Sequence, residues 1–404
     1  MDKITKITFL GDIACDRPLL EASKIENGQY SFSGVFSEVK PLLDSSDYVI
    51  ANFETVCARS DNDYKNEFFL YNCPDAIIPA MKAGGIDFVT TANNHCLDQG
   101  IEGLKRTLKV LDQNGIAHTG TFAEQADRDI GRHIITVGGV KIAILAYTIG
   151  TNESNTGIVL DDTNDFYVGL LRKQIDHAKQ SGGLKGILAR RLSAKQRRKL
   201  QRIINRTKLR MGMPYFKPYT DHITKVDTPE NPYLLKVKQE IADAKNAADV
   251  VIVCPHMGGQ FNTEPGTYSK FLVDYLKDCG ADIIAGNHPH VVQRAEADSG
   301  CVAAYSIGGF NLSISADYIV HESLPEYSMA LHVYIDADSK KITRAAFSIL
   351  RIIENSEHRI TVYPIHNLPN EFLSEKTRGE ITEIYNRVTG GNKESVDICD
   401  EYAL

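Results

Sequence analysis

Two imidazoles separated by one residue, His288 and His290, stand in Gly286-Asn287-His288-Pro289-His290, directly after the apolar run Ala281-Asp282-Ile283-Ile284-Ala285. A pair so placed aims two nitrogen ligands into a crevice at the carboxyl end of a strand, where open α/β sheets hold their ligands. A His-x-His alone carries little, because solvated or core-bonded histidines account for most such pairs. The pattern gains weight because it recurs. Asp12, Glu54, Asn94 with His95, and His256 each follow a strand-like apolar run, as His288 and His290 do. Carboxylates, imidazoles and one amide oxygen suit Mn, Fe or Zn better than calcium or a thiolate-bound metal. A set of this size exceeds what one tetrahedral zinc needs, so it fits one or two divalent ions, a pair standing about 3.5–4 Å apart. Two ions at that spacing activate water for in-line attack at phosphorus.

The elements that must carry these groups alternate in type. Ile4 to Leu10, Tyr48 to Phe53 and Phe88 to Ala92 read as strands, with helices over Pro74 to Ala83 and Ile101 to Asn114. That alternation predicts βαβ units and a largely parallel sheet. His133 to Val137 and Lys141 to Tyr147, joined by Gly138-Gly139, read as a hairpin. Further strands are expected at Val250 to Cys254, Asp282 to Ala285, Val302 to Ile307, Met329 to Ile335 and Ile342 to Leu350, with a helix over Tyr233 to Ala248. The tail from Asn392 to Leu404 is acidic and reads as loosely held.

Composition narrows the function classes. The chain has 404 residues, 43% hydrophobic and 24% charged, with a net charge of -7. That mild acidity disfavours general nucleic-acid binding, so no specific nucleic-acid partner is expected. No apolar run approaches the roughly 20 residues of a membrane span, and Met1 to Leu10 shows no apolar signal core, so the chain as written reads as cytoplasmic. Eight cysteines occur singly, without a Cys-x-x-Cys pair, and read as reduced thiols, with Cys254 and Cys301 inside apolar runs. One stretch departs from this balance. Lys185 to Lys217 holds twelve Lys or Arg and no Asp or Glu. It is either an inserted amphipathic helix with a solvated face or a patch for an anionic polymer or acidic surface. The basic insert is bounded at about 184–232.

The ordered pieces resemble the CapA family of capsule and poly-γ-glutamate synthesis proteins, which is related to the calcineurin-like metallophosphoesterases. They are Gly11-Asp12 followed by Arg17, Asn52-Phe53-Glu54, Ala92-Asn93-Asn94-His95 with Asp98 and Gly100, and His256-Met257-Gly258. To these add Gly286 to Val291 with Gln293, and Tyr305-Ser306-Ile307-Gly308. Together they span about residues 4 to 315. The resemblance implies a four-layer α/β/β/α metallophosphoesterase-like sandwich over residues 1–350, with 351–404 as a C-terminal extension packed on it or trailing from it. It implies Asp12, Glu54, Asn94, His256, His288 and His290 as metal ligands. It also implies that His95 is a non-ligand that donates to a phosphoryl oxygen or a leaving group.

Other roles stay open at this level. Asp98 either caps the helix beginning near Gln99 or orients His95. Arg17 either clamps an anionic substrate or forms a surface ion pair. Asn94 either ligates or holds its own loop, and Gly258 either admits a substrate or forms a turn. Where related phosphoesterases carry a histidine two residues after the first aspartate, this chain has Ala14. Met257 replaces the Trp of the usual CapA-type segment, Gln260 stands at its glutamate position, and Gly309 replaces an Asn. Two functions follow: a hydrolase of a phosphate mono- or diester tied to surface-polymer assembly, or a non-catalytic metal-binding accessory protein. Their partners would be an anionic small molecule or polymer, or the capsule-synthesis machinery.

Overall fold

Along each central strand, alternate side chains enter different cores, and that alternation builds the layers. The computed structural model describes residues 4–58, 64, 70–175, 191, 192, 196, 207, 211, 221–298 and 300–404. In β6 (Val140–Thr148), Ile142, Ile144 and Ala146 face one core, while Ala143, Leu145 and Tyr147 face another. β7 (Val250–His256) does the same with Ile252 and Cys254 against Val251 and Val253. Three apolar cores result, one between two sheets and one beneath the helices outside each sheet. Three cores need four layers, so the expected α/β/β/α sandwich is the observed architecture.

The first sheet runs β13-β12-β11-β1-β2-β3-β4, with β14 also pairing β12. Its centre is β1 (Ile4–Ile13), parallel to β2 (Tyr48–Phe53), which is parallel to β3 (Phe88–Thr90), itself parallel to β4 (Ala117–Thr119). On its other side β1 pairs antiparallel with β11 (Tyr327–Asp336), followed by β12 (Ile342–Glu354) and β13 (Ile360–Pro364). The sheet is therefore mixed, and only its first half is parallel as the sequence pattern suggests. The second sheet runs β5-β6-β7-β8-β10-β9. Here β5 (His133–Val137) forms the expected hairpin with β6, and β8 (Ile283–Ala285) lies between β7 and β10 (Cys301–Ala304), with β9 (Ala295–Asp298) at the edge. β10 ends three residues short of the expected Ile307, because Tyr305 to Gly308 leave the sheet and run toward β1.

The acidic tail is anchored, contrary to the sequence reading. β14 (Tyr402–Ala403) pairs with Phe347 and Ala346, and Tyr402 is buried against the Phe347 and Tyr385 rings. Glu401 bonds Lys6 and Tyr334, which outweighs the repulsion that its acidic neighbours suggest. β12 also runs across residue 350, the boundary expected for the domain, and β13 extends the same sheet. The helix Glu375–Thr389 puts Ile381, Ile384 and Val388 into the core between the sheets. None of the eight cysteines forms a disulfide, as expected, although Cys301 is only half-buried. Most of the basic stretch lies outside the described residues. Among the described residues, no helix is long and apolar enough to cross a membrane.

Candidate metal centre

The parallel strands β1, β2 and β3 of one sheet and β7 and β8 of the other end at a common crevice. Two glycines permit the approach. A Cβ on Gly11 would sit 1.8 Å from the Gly308 carbonyl oxygen, and one on Gly286 would sit 2.2 Å from that of Tyr305. With side chains absent there, Asp12 N donates to Gly308 O and Phe310 N to Asp12 O, so the second sheet's loop wraps the end of β1. Six of the sequence candidates meet in this crevice, and all but His288 are buried.

The donors form two groups that share one residue. Asp12, Glu54 and His290 make the first, and Glu54, His256 and His288 the second, with donor atoms within 4.8 Å of one another in each. In the first group, His290 Nδ1 stands 3.0 Å from Asp12 Oδ2 and 3.6 Å from Glu54 Oε2. Despite that proximity His290 Nδ1 has no aligned hydrogen-bond partner, as expected when two donors point at a shared third position. In the second, His256 Nε2 lies 2.7 Å from Asn94 Oδ1, 3.0 Å from His288 Nδ1 and 3.5 Å from Glu54 Oε1. Asn94 thus joins the second group through its oxygen.

Glu54 is the centre of the arrangement. It is fully buried, and neither carboxylate oxygen accepts a hydrogen bond. A buried carboxylate without hydrogen bonds costs several kcal/mol, on the order of the effective penalty for a desolvated ion, unless cations compensate it. The histidines respond to these charges in opposite ways. Burial lowers the His290 pKa, but Glu54 and Asp12 more than offset it and raise the value to about 9. Burial pushes Asp12 up, yet His290, His256 and Asn52 together hold it below its ordinary range. For His288, burial and then the neighbouring imidazoles both press the pKa well down, which keeps the ring neutral as ligation requires.

Backbone strain marks the same loop. His288 has φ 105° and His290 φ 60°, a left-handed conformation that L side chains seldom adopt. Each such residue costs about 1–3 kcal/mol and persists where the surroundings over-determine it. Here His288 N also donates to Asp12 Oδ2 at 3.2 Å, fixing the loop to β1.

His95 lies beside the second group without entering it. Its Nδ1 meets Asp98 Oδ2 at 2.6 Å, its Nε2 is 3.9 Å from Glu54 Oε1, and Tyr71 stacks on the ring at 4.1 Å. Burial works to lower the His95 pKa, but Asp98 and then Glu54 raise it above the usual imidazole value. Burial likewise raises Asp98, so the pair holds its shared proton tightly. The capping reading of Asp98 is corrected. The helix Gly100–Gln113 has Gln99 at its cap with no side-chain bond, and Asp98 accepts instead from Tyr71 N and faces His95.

Two open alternatives close. Arg17 is exposed and its Nε donates to Glu21 one helical turn on, a surface pair and not a clamp over the donors. Gly258 has φ 101° and packs where a Cβ would touch Pro289 and Ser269 at 3.2 Å, so its glycine serves the turn. Two asparagines outside the expected donor set also enter the site. Asn52 Nδ2 donates to Asp12 Oδ1 at 2.7 Å and lies 3.3 Å from His256 Nδ1, linking the two groups. Its signal was present, since alternation puts Asn52 on the same side of β2 as Glu54. Asn152, on the loop after β6, contacts both Asn94 and His95, and no sequence pattern announces it.

The chain is similar to known capsule-synthesis proteins. The family described as "Bacterial capsule synthesis protein PGA_cap" matches residues 6–313. The PGA biosynthesis protein CapA of Bacillus subtilis (strain 168) is 26% identical over 312 residues, covering 76% of this chain and 63% of that protein. The capsule biosynthesis protein CapA of Bacillus anthracis is 27% identical over 314 residues, covering 76% and 60%. The chain thus spans about three-fifths of the length of these curated relatives. Among solved structures, a phosphatase from Mycoplasma pneumoniae aligns with 14% identity over 86% of this chain and 94% of its own, with a TM-score of 0.43. A 5'-nucleotidase from Candida albicans SC5314 aligns with 12% identity over 95% and 56%, with a TM-score of 0.40. At those scores neither likeness bears on substrate or mechanism.

Proposed function

The chain belongs to the PGA_cap family of bacterial capsule synthesis proteins, and we propose that it is a metal-dependent hydrolase of a phosphate mono- or diester. The observation that carries this reading is the buried Glu54 carboxylate, free of hydrogen bonds and flanked by a histidine group on each side. Asp12, Glu54 and His290 would hold one divalent ion, and Glu54, Asn94, His256 and His288 a second. Oxygen and nitrogen donors without a thiolate suit Mn, Fe or Zn. When bound, such ions polarise a phosphoryl oxygen and make water nucleophilic near neutral pH.

The protein's own groups do the rest. Asp98 fixes the His95 proton at Nδ1 and leaves Nε2 directed toward Glu54 and the crevice. With its pKa raised, His95 holds the second proton at Nε2 and gives it to the departing oxygen, a contribution of about 10²–10⁴ in rate. Tyr71 keeps the ring in that plane by stacking, and its backbone N–H holds Asp98 in place. Asn52 orients the Asp12 carboxylate so that its other oxygen faces His290. The reaction would serve assembly of an anionic surface polymer such as poly-γ-glutamate.

One observation favours a second reading, a metal-binding accessory without turnover. Ala14 is buried and its backbone is bonded to Asn311 on both sides, so the first group lacks the imidazole that related phosphoesterases place there. Metal analysis of the purified protein, followed by manganese-dependent hydrolysis of bis-p-nitrophenyl phosphate and p-nitrophenyl phosphate, separates the two. Bound metal with turnover supports the hydrolase, bound metal without turnover supports the accessory, and absence of metal sinks both.

A further inference from the structure

We infer that Asn152 is a positioning residue that couples the ion-binding Asn94 to the proton-donating His95 across the two sheets. The inference rests on the functional reading above and deepens it. Asn94, His95 and Asp98 come from the loop after β3 in the first sheet, whereas Asn152 comes from the loop after β6 in the second. Asn152 Oδ1 accepts from Asn94 Nδ2 at 3.3 Å. That contact fixes which end of the Asn94 amide faces the centre, because the nitrogen is engaged by Asn152 and the oxygen turns to His256 Nε2 at 2.7 Å. Were the Asn94 amide reversed, an N–H₂ group would face the cation position and the second group would lose a donor.

The other end of the Asn152 amide reaches the proton donor. Nδ2 lies 3.4 Å from His95 Nδ1, where that nitrogen meets Asp98, and its hydrogen bonds toward the Asp98 carboxylate. A single amide thus supplies an acceptor to one function and a donor to the other, from two separate atoms of one rigid plane. The backbone is prepared for it. Asn152 has φ 55°, a left-handed conformation that Asn tolerates better than most residues. Its carbonyl accepts from Asn155 N and Thr156 N, which anchors the loop. Partners that orient metal ligands are typically worth 10–100-fold in affinity or activity.

The two bonds can be separated. Asn152→Gly removes the side chain and keeps the left-handed backbone without penalty. Asn152→Asp keeps an acceptor for Asn94 but sets a carboxylate against Asp98 and His95. For Asn152→Gly, the expectation is manganese affinity weakened about tenfold or more by calorimetry, with kcat on bis-p-nitrophenyl phosphate also down about tenfold or more. Asn152→Asp should not weaken manganese binding and should leave KM unchanged, while kcat falls by a similar factor. A purely structural residue would lower melting temperature in both variants without splitting affinity from kcat. If wild type binds manganese and turns over, but Asn152→Gly matches it in both, this inference is overturned and the functional reading stands. If wild type binds manganese without turnover, the affinity split alone decides the Asn94 half. If wild type binds no manganese, the functional reading fails and this inference with it.

Discussion

Replacing Glu54 by Gln tests the centre most directly, because one change touches both groups of donors while preserving shape. An ion present at 100 times its dissociation constant stabilises the folded protein by about 2.7 kcal/mol. For 404 residues, at about 2.1 cal/mol/K per residue, the unfolding entropy is about 0.85 kcal/mol/K, so saturating manganese should raise the wild-type melting temperature by about 3 °C. Two unit charges 4 Å apart attract by about 4 kcal/mol at an effective dielectric of 20. Removing a carboxylate beside a dication costs at least that, roughly a thousandfold in affinity, which leaves the variant far below saturation at the same manganese concentration. Glu54→Gln should therefore show almost no manganese-dependent rise. In the metal-free variant no hydrogen bond to Glu54 is lost, so its stability changes only through the new amide. Buried amide hydrogens left unpaired cost about 1–3 kcal/mol, or roughly 1–4 °C on the same scale. The assay is thermal melting after chelation and again across a manganese titration, with metal content measured on both proteins. A variant that kept the full 3 °C rise would refute the role given to Glu54, and with it the two-group reading.

Four other changes test separate parts of the structure. His95→Asn should keep bound metal and lose about 10²–10⁴-fold in phosphodiester turnover, and Asp98→Asn should lose at least tenfold; loss of metal in His95→Asn would make His95 a ligand. His332 is fully buried between Thr8 Oγ1 and Ser348 Oγ, and burial lowers its pKa to about 3 from an ordinary 6.5. Its contribution is complete above pH 6.5 and declines as pH falls toward 3, because the unfolded chain takes up the proton first, at up to about 1.4 kcal/mol per pH unit. In urea melts with a chelator present, His332→Asn should therefore have a shallower acid limb than wild type between pH 6.5 and 4, and parallel limbs would contradict this. Tyr402→Ala should cost about 3 kcal/mol through the lost contacts with Phe347 and Tyr385, whereas an unchanged melting temperature would return the tail to a loose state.

The sequence reveals what depends on strand-end position and hides what depends on loops crossing between sheets. Asp12, Glu54, His256 and the His288–His290 pair each follow an apolar run, and a strand that ends in a polar group announces itself through hydropathy alone. The four-layer architecture was an implication of the family resemblance, and its physical basis lies in strands such as β6 and β7, whose apolar residues on both faces need cover on both. Asn152 and the Tyr71 donor to Asp98 were not legible, although the Asp98–His95 pairing was one of the two readings open to the sequence. Both contacts span long separations, 57 residues from Asn152 to His95 and 27 from Asp98 to Tyr71, and they join irregular segments with no periodic signal. Arg17 had two readings, a clamp or a surface pair, and a glutamate four residues on along the same helix face selects the pair. The tail misled because acidic composition was weighed without Lys6, almost 400 residues away in sequence, which Glu401 meets directly.

The two donor groups are not equivalent, and the difference follows from residues already placed. The second group offers Glu54, Asn94, His256 and His288, with neutral His288 ready to ligate. The first offers only Asp12, Glu54 and His290, and there His290 must release a proton held up to about pH 9 before it can bind an ion. Metal binding that requires deprotonation weakens as pH falls, so the first position should empty before the second on acidification. Ala14 cannot compensate, because its backbone is pinned by Asn311 and its side chain offers no donor. A chelator titration at pH 6 should accordingly leave one ion per chain where pH 8.5 leaves two, and Ala14→His should narrow that gap by adding an imidazole to the poorer group. Simultaneous loss of both ions at every pH would mean that the groups bind as one unit and that Ala14 is no handicap.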